Sequence, residues 1–186
     1  MPINHMRYIW SPWRMEYIEG NTQESGCLFC RILSTSDGAE NLVIHRGERA
    51  FVVLNRFPYT NGHMMVVPMA HQATLEGLPE TTLTEIMLLI NRAIGALRDT
   101  YDAENFNVGI NIGEAAGAGV VGHVHVHVLA RWSGDTSFMS TTSDTRVIPE
   151  SLETTYSRLR EAWERGSQRP PGSGASASQG ADAHDR

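Results

Sequence analysis

Residues 123–128 read His-Val-His-Val-His-Val, a strict alternation that only an extended strand can use. A period of two sends His123, His125 and His127 to one side of such a strand and Val124, Val126 and Val128 to the other. Three neutral imidazoles turned into a core would each need a polar partner. Turned toward a ligand, they offer a nucleophile, a proton relay and a donor. A row of packed or solvated histidines on an ordinary half-buried strand is the plainer alternative. Imidazole is substantially neutral near pH 7, and a hydrogen bond at one ring nitrogen can aim the other at an electrophile. The alternation does not say which of the three attacks.

Elsewhere, apolar runs at 42–45 and 50–54 flank a turn at Gly47, and Asn61-Gly62 introduces a third run at 63–67 that Pro68 closes. Residues 106–112 alternate partly and end at Gly113. From 81 to 97, Leu83, Ile86, Met87, Ile90, Ile94 and Leu97 recur at threes and fours and predict a long amphipathic helix. A second such helix carries Leu152, Tyr156, Leu159 and Trp163 and is expected to stop at Gly166. Residues 1–24 form an aromatic extension with Trp10 and Trp13, expected to pack on the domain or on a partner subunit. Residues 25–166 form one domain, and 167–186, mostly Pro, Gly, Ser, Ala and charge, are expected to be disordered.

Fifteen Lys and Arg against 21 Asp and Glu give a formal charge of −6, which opposes a broad grip on a nucleic-acid polymer but leaves room for a small anion site. There is no G-x-x-x-x-G-K loop, so any hold on phosphate must come from backbone amides and imidazoles. The run Gly113-Glu114-Ala115-Ala116-Gly117-Ala118-Gly119 suits that use, although glycines also serve ordinary turns. The only two cysteines stand in Cys27-Leu28-Phe29-Cys30, a spacing that lets two thiolates share a tetrahedral metal. A metal-free thiol pair and a redox pair are the alternatives. The first 20 residues mix aromatic and charged side chains, and no run approaches membrane-spanning length, so the expectation is a cytoplasmic protein without a membrane partner.

The run from His123 to Leu129 resembles the signature of the histidine triad superfamily of nucleotide hydrolases and transferases. The resemblance continues through Leu54-Asn55-Arg56, Asn61-Gly62-His63, Asn111-Ile112-Gly113 and the glycine loop. It implies an α+β fold in which an antiparallel sheet of about five strands carries a long packed helix and a C-terminal helix. It further implies that His125 attacks the alpha phosphorus of a nucleotide, with His127, His123 and a fourth histidine, His63, around it. Asn55 would hold the ribose hydroxyls, its alternative being a polar cap at a strand end, and Asn61 would stand with it. Asn111 and the amides of Gly117 and Gly119 would face the transferred phosphate. Arg131 would meet a distal phosphate or form a surface ion pair. His71 and His123 would complete a zinc site with Cys27 and Cys30. Magnesium would accompany the substrate's phosphates, and the protein would pair as a homodimer.

Trp13-Arg14-Met15, Arg131-Trp132-Ser133-Gly134-Asp135, Phe138 and Val147-Ile148-Pro149 resemble more narrowly a bacterial branch that includes diadenosine tetraphosphate phosphorylases. In that branch a serine stands where this chain has Gly119, and an acidic residue where it has Gly122. The expected reaction is phosphorolysis of a dinucleoside polyphosphate through a nucleotidyl-histidine. Its alternatives are hydrolysis of the same substrate, hydrolysis of a nucleoside phosphoramidate or adenylate, and nucleotide or zinc binding without turnover.

Overall fold

A computed structural model describes residues 26–133, 135 and 150–167. The N-terminal tryptophans, Phe138, the 147–149 run and the tail after Ser167 lie outside them. Five strands, β1 (Val43–Arg46), β2 (Ala50–Leu54), β3 (Met64–Pro68), β4 (Asn105–Ile110) and β5 (Val126–Arg131), form one sheet in the order β1-β2-β3-β5-β4. Every neighbouring pair is antiparallel. Short connections favour that pairing between β1, β2 and β3. The long helix and its loop carry the chain to the far edge, where β4 leads back to β5.

The α+β expectation therefore holds, with three helices: α1 (Leu28–Leu33), α2 (Glu80–Tyr101) and α3 (Leu152–Ser167). α2 buries Ile86, Leu89, Ile90, Ala93, Ala96 and Leu97, a stripe at helical spacing that crosses β2, β3 and β5. Met87, expected on that stripe, is 63% exposed because Leu89 and Ala93 take the inward positions. The helix opens after Pro79 with Glu80 in its first turn, where the helix dipole favours a carboxylate. It closes on Asp102, whose left-handed φ of 50° lets its N–H reach Arg98 O.

α3 packs along α2 and reaches β1 through Leu159, Ala162 and Trp163. The Arg92 guanidinium lies 4.3 Å from the Trp163 ring centre and His45 stacks near the same indole at 5.2 Å. The helix runs through Gly166 to Ser167, one residue past the expected stop. α1 has no counterpart in the sequence expectations. Six residues are too few to show a period, and the cysteine spacing there reads first as a ligand pair. None of the described helices is long and apolar enough to cross a membrane.

Candidate active site and metal centre

Pro68 decides where the histidine run leaves the sheet. The β3 to β5 ladder pairs Met64 with Val128 and Val66 with Val126, and two residues further on Pro68 has no N–H to give. The expected strand over 123–128 thus joins the ladder only at Val126. Residues 123–125 are held by other bonds: Val124 N–H donates to Gln72 O at 2.7 Å, and the ring Nε2 of His123 donates to Pro68 O at 2.9 Å. The three imidazoles consequently serve two centres. His125 and His127 stay together with ring centres 4.9 Å apart, while the ring of His123 turns to the cysteines.

His125 is 4% exposed, and its Nδ1 lies 2.9 Å from the carbonyl oxygen of His123. A carbonyl only accepts, so the proton sits on Nδ1 and Nε2 keeps the lone pair. Burial holds this imidazole below its ordinary pKa, against the opposing pull of that carbonyl bond, so the neutral form prevails near pH 7. Phe29 of α1 packs on the ring at 5.0 Å and on His123 at 5.3 Å.

A second chain of bonds fixes His127. His63, 1% exposed, has its Nδ1 3.2 Å from Tyr59 N–H and 3.3 Å from the Asn55 side-chain amide, both donors. Asn55 Oδ1 is taken by Phe57 N–H at 3.0 Å, which turns the amide nitrogen of Asn55 to His63. With Nδ1 accepting, His63 carries its proton on Nε2 and donates it to His127 Nδ1, 2.9 Å away. His127 must then hold its own proton on Nε2. Two backbone groups, His123 O and Tyr59 N–H, thereby leave a lone pair on Nε2 of His125 and a proton on Nε2 of His127. Such a pair can attack phosphorus and stabilise a leaving oxygen.

Asn55 caps the end of β2 and orients His63. Asn61 lies beside it with Oδ1 buried and without a hydrogen-bond partner among the described residues. Asn111 donates to Gly117 O at 3.4 Å and so ties the glycine loop to the end of β4. Gly113 and Gly117 have φ of 85° and 84°, a backbone that favours glycine, and they bracket a single 3-10 turn at Glu114–Ala116. Gly119 lies exposed in the bend beyond it. Arg131 forms the surface ion pair. It grips Asp135 through Nε at 2.5 Å and Nη2 at 2.9 Å and Asn107 through Nη1 at 2.6 Å, so a distal phosphate would have to displace this pair. Tyr59 and Phe29 were missed by sequence reasoning. The signals were an aromatic set between turn residues just before a histidine, and another between two cysteines.

Cys27, Cys30, His71 and His123 bring their ligand atoms within 4.8 Å of one another. Cys27 Sγ is 3.3 Å from His123 Nδ1, and Cys30 Sγ is 3.3 Å from His71 Nδ1 and 3.8 Å from His123 Nδ1. A tetrahedron with metal bonds of about 2.0–2.3 Å has edges of about 3.3–3.8 Å, and these three separations suit a zinc-sized ion. The donation from His123 Nε2 to Pro68 O leaves Nδ1 as the ligand nitrogen, the outer-sphere bond that metal-binding histidines usually make. Cys27 begins α1 and Cys30 lies one turn along it, which explains the helix there.

The HIT domain family matches residues 37–134. The AP-4-A phosphorylase of Mycobacterium tuberculosis (strain ATCC 25618 / H37Rv) is 35% identical over 170 residues, covering 87% of this chain and 87% of that protein. A Zn-bound histidine triad family protein from Mycobacterium smegmatis superposes with a TM-score of 0.63 at 31% identity, over 77% of this chain and 96% of its own. A hypothetical histidine triad nucleotide-binding protein from Sulfolobus tokodaii strain7 gives a TM-score of 0.61 at 27% identity, over 75% and 93% of the two chains.

Proposed function

The chain belongs to the HIT domain family, and from that premise we propose that it is a dinucleoside polyphosphate phosphorylase, converting diadenosine tetraphosphate and inorganic phosphate to ATP and ADP. At the coarser level it is an enzyme of the histidine triad type, a nucleotidyltransferase or hydrolase. The observation that carries the reading is the bond from His125 Nδ1 to His123 O, which leaves Nε2 as a neutral nucleophile beside the donor Nε2–H of His127.

In the proposed reaction His125 Nε2 attacks an alpha phosphorus. The N–P bond forms as the bond to the bridging oxygen breaks, and ATP departs with that oxygen stabilised by His127. An oxygen of inorganic phosphate then attacks the same phosphorus, the N–P bond breaks, and ADP leaves with the incoming phosphate as its beta group. The adenosine would lie near Asn55 and Asn61, and the Gly119 amide beyond Asn111 would meet phosphoryl oxygens, since Gly117 N–H and Ala118 N–H already donate to Glu114 O and Gly113 O. Arg131, already paired, takes no step.

Zinc in the Cys2His2 cluster is the proposed metal, and its role would be structural, tying α1 and its Phe29 to the histidine run. Magnesium enters only with the substrate. Among the described residues, that cluster is the one group of metal-ligating side chains. The proposed homodimer would form through β4, an edge strand whose Val108 and Ile110 are 47% and 37% exposed.

The test is product analysis of diadenosine tetraphosphate with and without labelled phosphate. Label entering the beta position of ADP supports phosphorolysis. Unchanged rate and products, with labelled water delivering oxygen to AMP, would make the enzyme a hydrolase. Gly119→Ser would then show whether a hydroxyl in the loop confers dependence on phosphate.

A further inference from the structure

His63 sits at the end of a turn whose internal bonds are few. Asn55 N–H donates to His63 O at 2.8 Å and His63 N–H to Thr60 O at 3.2 Å, while Thr60 Oγ1 and Asn61 Oδ1 are buried without a partner among the described residues. What seats the turn is packing at Gly62. Its φ is +72°, and a Cβ there would lie 2.6 Å from Leu97 Cδ2 and 2.8 Å from Tyr101 Cε2, so the backbone rests directly on the last turn of α2.

Tyr101 is itself held from the far side. Its hydroxyl donates to Glu150 Oε2 at 2.6 Å, and Thr155 Oγ1 donates to the same oxygen at 2.8 Å. Arg158 donates to Glu150 Oε1 at 2.6 Å and lies over the Tyr101 ring at 4.9 Å. A cavity of about 30 Å³, lined in part by Asn55, Gly62, His63, Glu150 and Thr155, separates this carboxylate from the turn. The start of α3 thus touches the surroundings of His63 both through Tyr101 and across that cavity.

We propose that Tyr101 and Glu150 are positioning residues for the reaction: by fixing Gly62 they hold His63 Nε2 at hydrogen-bond distance from His127 Nδ1, and so keep the proton of His127 on Nε2. The catalytic consequence rests on the function proposed above; the positioning rests on the contacts alone. A donor moved from 2.9 Å to beyond about 3.5 Å, or tilted to an angle below about 120°, no longer dictates the tautomer of its acceptor.

The experiment uses the full chain and compares Tyr101→Phe and Glu150→Gln with Arg160→Met. The last loosens α3 at its contact with Ile44 O, away from the site. Imidazole nitrogen NMR of the folded protein without substrate should show His127 protonated on Nε2 in the parent and in Arg160→Met, and a tautomer mixture in the other two. With substrate, Tyr101→Phe and Glu150→Gln should lose about 10- to 100-fold in kcat, the size of effect that small misplacements give. KM should stay within about twofold, and Arg160→Met should lower Tm alone. An unchanged His127 tautomer in both variants would overturn the proposal, as would a kcat loss that Arg160→Met shares. A parent protein with no turnover of the dinucleotide would dispose of the phosphorylase reading, and the nitrogen spectra would still decide the positioning.

Discussion

Nε2 of His63 stands 2.9 Å from Nδ1 of His127, and through that one bond the surroundings of the first ring set the proton position of the second. His63→Phe should therefore lower turnover by roughly 100-fold, and His127→Phe by at least as much, as loss of a positioned acid does. Because His63 acts through His127, the double variant should be no slower than His127→Phe alone. Additive losses in the cycle would give His63 a separate role.

His125→Ala should lose at least roughly 10,000-fold in turnover, since in the proposed reaction the removed nitrogen makes the covalent bond. Nucleotide affinity and the fold should survive. Denatured parent protein taken during turnover should carry labelled nucleotide on His125, and the variant none. Near-normal turnover by the variant would remove His125 from the role of nucleophile.

Protein purified without added metal should contain about one zinc per chain. Cys27→Ser should lower Tm by roughly 5–10 °C, the shift expected at this length for a loss of about 2–3 kcal/mol. Activity should fall less steeply, by way of Phe29, which leans on both His123 and His125. Absence of zinc together with two freely reactive thiols in the folded protein would reject the site.

Stability should bend at both ends of the pH scale through one contact. Burial alone would raise the Glu150 carboxyl, but bonds from Tyr101, Arg158 and Thr155 hold it below the ordinary carboxylate value. Its contribution is complete above the unfolded pKa and fades as pH falls through the lower folded one. Burial, then the bond to Glu150, pushes the Tyr101 hydroxyl up to about 12. Its contribution is complete below the unfolded value of 10.0 and fades as pH rises toward about 12. In denaturant titrations the stability advantage of the parent over Tyr101→Phe should shrink as pH rises from 10.0 toward about 12. Parallel curves there would deny the contact.

The sheet and the long helix were legible because their signals are local. The stripe from Ile86 to Leu97 fits inside one helix, and the second half of the alternation at 123–128 falls in β5. As candidate ligands, Cys27 and Cys30 were legible by their spacing and His71 and His123 by resemblance, and their convergence follows only from folding, since Cys27 and His123 lie 96 residues apart. Three things were not readable. The ladder's start at Val126 depends on Pro68 lying across from the run, a matter of register between distant strands. The tautomers of His125 and His127 depend on a main-chain carbonyl and a main-chain N–H, groups that all residues but proline share and that side-chain identity does not mark. The two readings of Arg131 differed only in whether Asp135 and Asn107 lay within reach, and both do.

The acceptor that aims His125 belongs to the main chain of residue 123. No codon change at that position can delete a carbonyl. A substitution at 123 would strip a donor atom from the Cys2His2 cluster and yet leave the hydrogen-bond partner of His125 chemically intact. The chain thereby separates two kinds of mutational risk: errors in the cluster reach His125 as loosened packing, whereas the acceptor that orients its ring is shielded from direct genetic damage at its source.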